Sequence, residues 1–412
     1  MNERVVITGY GTVNPLGHSA SAYAEALRRG QSGVGFISAF DTTDYSCKIA
    51  AEVTSVDFSS VMDAKEIRRT SRFISFAIKA AHEALSHSGL VITDANAHQV
   101  GVEIGSGIGG IEILEQTTRT LIEKGPSKVS PFTVPMMIID MAAGLVSIKT
   151  GAKGPNAAAV TACASANHSM GNAFRIIQRG DAIAMITGGA EACITPVGVS
   201  SFMAARALST NPDPTTACRP FDRQRSGFIM GEGAGIVVLE SLTHAKKRGA
   251  TIYAELVGFG SSGDAYHITS PAENGEGACR AMRLALADAR LDASAIGYVN
   301  AHGTSTQLND HYETVAIKNA LGPHAYTVPI SSTKSMTGHL LGAAGGIELI
   351  ACLDALQNGY IPPTIHLDEP DPNCDLNYTP HVAVETSFDV FMSNSLGFGG
   401  HNAVIIGKRF TD

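Results

Sequence analysis

The sequence predicts an α/β protein assembled from two related halves, and three observations predict it. Short Val/Ile/Ala-rich runs that end in glycine alternate with amphipathic stretches along the chain. A glycine-containing segment near the middle is echoed near the end. The 412 residues are 44% hydrophobic and only 17% charged, which supports a sizeable core and excludes global disorder.

Val5–Gly11, Val102–Gly110, Ala184–Gly189, Ile236–Leu239, Ala254–Gly258 and Tyr298–His302 read as buried strands. Ser75–Ser88 carries Phe76, Ile78, Ala81 and Leu85 among Lys79, His82 and Glu83, the spacing of a one-sided helix. Ala278–Ala289 repeats that pattern with Met282, Leu284 and Leu286. Gly227-Phe228-Ile229-Met230-Gly231, followed by Ile236-Val237-Val238, matches Gly397-Phe398-Gly399-Gly400, followed by Ala403-Val404-Ile405-Ile406. The polar Lys246-Lys247-Arg248-Gly249-Ala250 divides the halves, giving units of 1–250 and 251–412, with insertions expected near 110–140 and 200–225.

Thirty Lys+Arg against 38 Asp+Glu give a formal charge of −8, which argues against a general nucleic-acid or anionic-membrane binder. Any acidic partner must dock locally. The basic cluster in Asp63-Ala64-Lys65-Glu66-Ile67-Arg68-Arg69-Thr70-Ser71-Arg72 is either a solvated helix face or such a docking patch. Seven scattered cysteines without a C-x-x-C pair point to a reducing compartment. No apolar leader follows Met1, and Met136–Ile148 is too short and carries Asp140, so no membrane span and a cytoplasmic protein are expected.

Val160-Thr161-Ala162-Cys163 begins strand-like and runs on into a helical pattern through Met170, Phe174 and Ile177. Cys163 therefore stands at a helix N-terminus. There the dipole and free N–H groups favour a thiolate, although a small buried core cysteine is the competing reading. His302 and His339 each lie in a Gly/Ser/Thr-rich loop, where function concentrates. His168 stands five residues after Cys163, on another side of the helix, and is poorly placed as that thiol's base. No metal site is expected, because His82-Glu83-Ala84-Leu85-Ser86-His87 misses the H-E-x-x-H spacing. Gly105-Ser106-Gly107-Ile108-Gly109-Gly110 fits G-x-G-x-x-G, but the acid expected on a second strand is missing: Glu123 falls in a turn. The glycines read instead as close-packing positions.

With Cys163, His302 and His339 identified, the chain resembles the β-ketoacyl-acyl-carrier-protein synthases, most closely the elongating synthase II type, over essentially all 412 residues. The resemblance is carried by Val160-Thr161-Ala162-Cys163, by Asn300-Ala301-His302-Gly303-Thr304-Ser305-Thr306, by Ser332-Thr333-Lys334 running to His339 and on to Gly345, and by Asn394-Ser395-Leu396-Gly397-Phe398-Gly399-Gly400. It implies a duplicated thiolase-like α/β fold, layered α-β-α-β-α with two mixed sheets, and a homodimer. It implies that Cys163 carries the acyl group, that His302 and His339 donate to the malonyl thioester oxygen, and that the N–H groups of Cys163 and Phe398 form an oxyanion hole. Lys334 would set the electrostatics near the histidines. Thr304 and Thr306 would hold the phosphopantetheine arm, Ile108 would line the acyl tunnel, and Leu396 and Gly399 would belong to the gate. Lys65, Arg68 and Arg69, with Lys128 and Arg206, would attract the acyl carrier protein. No cofactor of the enzyme's own is implied, since phosphopantetheine arrives on the carrier.

Two positions depart from the usual pattern. Leu396 replaces a Phe, which affects gate packing, and Gln307 replaces a Pro, with loop stiffness as its expected effect. A polyketide condensing domain shares the fold and triad, a thiolase uses a second cysteine as base, and a chain-length-factor partner does no chemistry. The joint presence of Cys163, His302 and His339 argues against the last two.

Overall fold

The computed structural model describes residues 3–411; Met1, from which the absence of a leader is read, lies outside them. The apolar runs form strands β1 (Val5–Val13), β2 (Val100–Gly105), β3 (Asn156–Ala157), β4 (Ala184–Glu191) and β5 (Gly233–Ser241). They recur as β6 (Ala254–Gly263), β7 (Tyr298–Asn300), β8 (Ile330–Ser331), β9 (Val390–Gly397) and β10 (His401–Lys408). The order is β8-β7-β9-β10-β6-β1-β5-β4-β2-β3. Each five-strand unit thus has its third, second, fourth, fifth and first strands side by side.

Strand directions repeat as well. In each unit the second strand is parallel to the third and fourth, and the fifth is antiparallel to the fourth and first. The matching segments near residues 227 and 397 lead into β5 and β10, the fifth strand of either unit. The expected insertions fall between β2 and β3 and between β4 and β5. The first contains ordered helix, Ile111–Lys124, so Glu123, read as a turn residue, lies in its last turn.

The two mixed sheets form a single ten-stranded ladder among the described residues, because Val5–Ile7 pairs antiparallel with Ala254–Leu256. Without that pairing the first strand of each unit would be a bare edge with unsatisfied backbone groups. Beyond these three pairs each strand bulges and follows its own unit, at Thr8 in one and Val257 in the other. The ladder folds over, and the layers remain α-β-α-β-α.

Helices α1 (Arg72–Ser88), α2 (Ile111–Lys124), α3 (Met141–Thr150), α4 (Ser165–Arg179), α5 (Glu276–Ala289), α6 (Gln307–Leu321) and α7 (Ala344–Asn358) complete the layers. The central layer is α4 and α7. Met170, Phe174 and Ile177 of α4 and Leu349, Ile350 and Leu353 of α7 pack between Val237 and Leu239 of β5 and Phe391 and Ile405 of the second unit. α1 and α3 cover the outer face of the first unit, and α5 and α6 that of the second.

Close contact between outer helix and first strand depends on glycine. A Cβ at Gly11 would lie 2.3 Å from the Ala80 carbonyl oxygen of α1, and one at Gly260 would lie 2.0 Å from that of Ala281 of α5. The same device occurs in both units. Gly260→Ala must push α5 off the sheet and is expected to cost about 1–3 kcal/mol of stability. A thermal unfolding midpoint equal to that of the parent chain would contradict this contact.

Candidate active site

The two central helices begin in the same way. α4 is preceded by the tight turn Ala162–Ala164 and α7 by the turn Leu341–Ala343. Each turn opens on a non-glycine residue in the left-handed region, Ala162 at φ 50° and Leu341 at φ 49°. Such backbone is costly for residues with a Cβ and collects at functional sites. Cys163 is the second residue of the first turn, and the equivalent place in the second is Gly342.

Cys163 Sγ, one ring nitrogen of His302 and one of His339 lie within 4.8 Å of one another, all in buried residues. Cys163 lies more than a hundred residues before either histidine, and the fold brings the loop after β7 and the two turns that precede α4 and α7 to one place. His302 follows β7, and its loop is held by Glu313 of α6, which accepts from the His302 and Gly303 N–H groups at 2.7 Å each and from Asn394 Nδ2 at 3.1 Å. The two imidazoles meet edge to face, with centroids 5.2 Å apart.

Their hydrogen-bond partners decide which nitrogen carries the proton. Lys334 Nζ donates to His302 Nδ1 at 3.3 Å, and the Leu341 backbone N–H donates to His339 Nδ1 at 3.3 Å. Both Nδ1 atoms therefore accept, and each neutral ring keeps its hydrogen on Nε2. Burial, reinforced by the Lys334 ammonium, holds both histidines well below the ordinary imidazole range, so both are neutral. Lys334 is itself paired with Glu348 of α7, each side chain 1% exposed. A metal at the triad would need unprotonated nitrogens, and this wiring instead presents two N–H donors.

The thiol corrects the expectation of a resting thiolate. Burial pushes Cys163 up to about 12, and Lys334 and the Phe398 N–H only partly offset it. Desolvation of the anion outweighs the helix terminus. The Phe398 and Cys163 N–H groups both face the sulfur, and Phe398 is at the tip of the β9–β10 hairpin, over the turn Gly397–Gly400.

A cavity of about 490 Å³ opens on the triad. Ile108, Leu396, Phe398, Thr304, Thr306 and Arg206 line it together with the triad, and Phe202 and Phe228 add an aromatic wall that sequence reading missed. Thr304 and Thr306 hydroxyls join at 2.9 Å. Gly399, at φ 84°, is exposed and is not among the lining residues; its N–H donates to the Ile268 carbonyl. Lys65, Arg68, Arg69 and Lys128 are exposed; Lys65 is in the capped turn Ala64–Ile67, and Arg69 stacks on Phe132 at 4.4 Å.

The glycine-rich segment holds a carboxylate. Glu191, at the end of β4, accepts from Ser106 Oγ and the Gly107 N–H at 2.7 Å, and from the Ile108, Gly109 and Gly342 N–H groups. These donors would otherwise suit a phosphate. Glu191, Glu313 and Glu348 are the organising residues missed in the sequence; a lone acid in the all-apolar run of α7 was the available signal for Glu348. Gln307 does more than stiffen a loop, since its Nε2 donates to the Arg225 carbonyl at 2.6 Å, a bond proline could not make. His168, set aside as a base, accepts or donates at both ring nitrogens, to Thr161 Oγ1 and to Ser261 Oγ, each at 2.8 Å.

Residues 2–245 match the family model described as the N-terminal domain of β-ketoacyl synthase, and residues 253–368 match its C-terminal domain. The chain is 53% identical over 409 residues to a Staphylococcus aureus protein named 3-oxoacyl-[acyl-carrier-protein] synthase 2, covering 99% of both. It is 50% identical to a Synechocystis protein of the same name, covering 99% of this chain and 98% of that one. Among solved structures, a β-ketoacyl synthase from Burkholderia phymatum aligns at a TM-score of 0.93 with 36% identity over 99% of this chain and 100% of that one. A type II polyketide ketosynthase in complex with its acyl-carrier protein aligns at 0.92 with 33% identity over 100% of both chains. With a triad of this geometry beside the N-termini of two duplicated central helices, a family model over residues 2–245 and relatives that align along 99% of the chain, the chain belongs to the β-ketoacyl synthase family.

Proposed function

We propose that the protein is a condensing enzyme of fatty acid elongation, extending an acyl chain by two carbons with malonyl carried on acyl carrier protein. The carrying observation is the Cys163 sulfur and a ring nitrogen of each of two neutral imidazoles within 4.8 Å of one another in the lining of a largely apolar cavity. Identity of 53% to a relative named 3-oxoacyl-[acyl-carrier-protein] synthase 2, against 33% to the polyketide ketosynthase, favours this over the polyketide reading.

The thiol of Cys163 gives up its proton, and the sulfur attacks the acyl thioester carbonyl. The resulting oxyanion accepts from the Cys163 and Phe398 N–H groups, and collapse releases the carrier thiol, which takes the proton. Malonyl then loses carbon dioxide, and the enolate oxygen accepts from the Nε2–H of His302 and His339. These rings are pinned as donors by Lys334 and the Leu341 N–H. Attack of the enolate carbon on the Cys163 thioester forms the 3-oxoacyl product and expels the sulfur as a thiolate, which takes a proton from solvent. The enzyme needs no organic cofactor of its own, because phosphopantetheine comes with the carrier.

Lys65, Arg68, Arg69 and Lys128 are exposed, and Arg206 is exposed and lines the cavity, which supports an approach there by an acidic carrier. A homodimer across the first unit is supported by the open edge of β3 and by exposed Leu121, Ile122, Val134, Ile148 and Val160 nearby in sequence. Seven free, buried cysteines favour a reducing cytoplasm, and no helix among the described residues is long and apolar enough to cross a membrane.

Mass spectrometry after mixing with acyl-carrier protein is expected to find the acyl group on Cys163 and to lose it when malonyl-carrier is added. Cys163→Ala removes the adduct, while His302→Ala and His339→Ala keep it and slow condensation by about 10²–10³-fold. An adduct elsewhere, with Cys163 unmodified, refutes the assignment. A raised thiol pKa makes thiolate the minor form at neutral pH, growing with each unit of pH. Alkylation of Cys163 by iodoacetamide should therefore climb steadily between about pH 6 and pH 10; a plateau near neutrality would contradict a neutral resting thiol. Replacing Lys65, Arg68 and Arg69 together by Ala should raise KM for carrier substrates and spare acylation by a small thioester. Equal losses with both substrates would exclude docking there.

A further inference from the structure

The loop before Cys163 is tied down by a side chain that the mechanism above does not use. His168, one turn into α4, bridges Thr161 Oγ1 at Nδ1 and Ser261 Oγ of β6 at Nε2, each at 2.8 Å. Its ring also meets the edges of Phe259, 6.0 Å away, and His401, 6.4 Å away. The imidazole therefore connects the first unit's nucleophile turn to the β6 strand of the second unit and to the hairpin that carries Phe398.

Thr161 is the last residue before the left-handed Ala162. Its carbonyl accepts from the Ala164 N–H, and its N–H donates to Ser165 Oγ, so its backbone defines the turn on which Cys163 stands. The same carbonyl packs on the hairpin: a Cβ at Gly397 would lie 2.8 Å from Thr161 O and 3.2 Å from the Cys163 nitrogen. His401 pairs with Gly397 across the hairpin, and a Cβ at Gly399 would come within 3.1 Å of its ring. The two N–H groups of the oxyanion hole thus belong to backbone segments that His168 contacts on either side.

We propose that His168 is a positioning residue that sets the spacing of the Cys163 and Phe398 N–H groups, and that it acts on the steps passing through a tetrahedral intermediate and not on enolate formation. This rests on the roles given to Cys163, His302 and His339 above. The enolate oxygen is held by His302 and His339, whose donors are fixed by Lys334 and Leu341, and none of these groups touches His168. Loss of the Thr161 bond frees the turn to relax from φ 50° at Ala162, and the sulfur and the hole shift relative to each other. His168 itself needs no contact with substrate.

The test separates three rates in the full-length protein. In His168→Ala, acylation of Cys163 by acyl-carrier protein is expected to fall about 10- to 100-fold, while malonyl-carrier decarboxylation and iodoacetamide alkylation of Cys163 stay within about two-fold. Thr161→Val, which removes the same bond from its other end, should slow acylation as much, and the double variant no further. His168→Gln, able to hydrogen-bond to Thr161, should recover part of the rate. The idea is overturned if all three rates fall together, which marks a fold defect, or if acylation is unchanged. A wild-type protein whose acyl adduct is not on Cys163 would instead defeat the function proposed above, so the two failures are told apart.

Discussion

Lys334 and Glu348 form an ion pair in which both side chains are 1% exposed, and the chemistry of the cavity depends on it. The ammonium makes His302 Nδ1 an acceptor and disfavours a second positive charge on either ring. It also draws the Cys163 thiol back toward ionisation against the pull of burial. Together with burial and the Leu341 N–H, this cation keeps two imidazoles as neutral donors, and it moderates one thiol. Glu348 comes from the central helix α7, so the pair also locks that layer to the active-site loop. Removing one partner would leave a buried charge alone, a loss of about 3–5 kcal/mol.

The duplicated architecture is used unequally. Each unit ends a tight, left-handed turn at the N-terminus of its central helix, and the two termini face the same cavity. In the first unit the second turn residue is Cys163, which supplies a nucleophile; in the second it is Gly342, whose N–H goes to Glu191. The strained turn gives the sulfur an exposed backbone N–H beside it, and the matching turn brings His339 to the opposite wall. Symmetry of the fold places the pieces, and substitution at one position assigns their work.

Buried carboxylates do the positioning that a bound phosphate or metal does in other sites. Glu191 gathers the glycine-rich segment and the second turn, and Glu313 gathers the His302 loop with Asn394. Burial raises both, Glu313 to about 7, while the backbone N–H groups they accept from stabilise their charge. The cost of burying them is met by those donors, and the loops gain rigidity in exchange.

What could be read from the chain alone follows from short-range periodicity and local motif. The alternation of apolar runs and one-sided helices such as Ser75–Ser88 showed an α/β protein, the echo of residues near 227 and 397 located equivalent strands, and the loops around Cys163, His302 and His339 carried their residue types in sequence. Each of those signals is written in a short stretch of chain, where the backbone geometry is set locally. Only the tertiary structure decided the rest. Whether the thiol rests ionised depends on desolvation against a helix terminus, a balance that reversed the sequence expectation at Cys163. The fate of the glycine-rich N–H groups depended on an acid 82 residues or more away, at Glu191. The joining of the sheets through Val5–Ile7 and Ala254–Leu256, and the tie from His168 to Thr161 and Ser261, likewise arise from long-range packing, for which a linear pattern carries no distance.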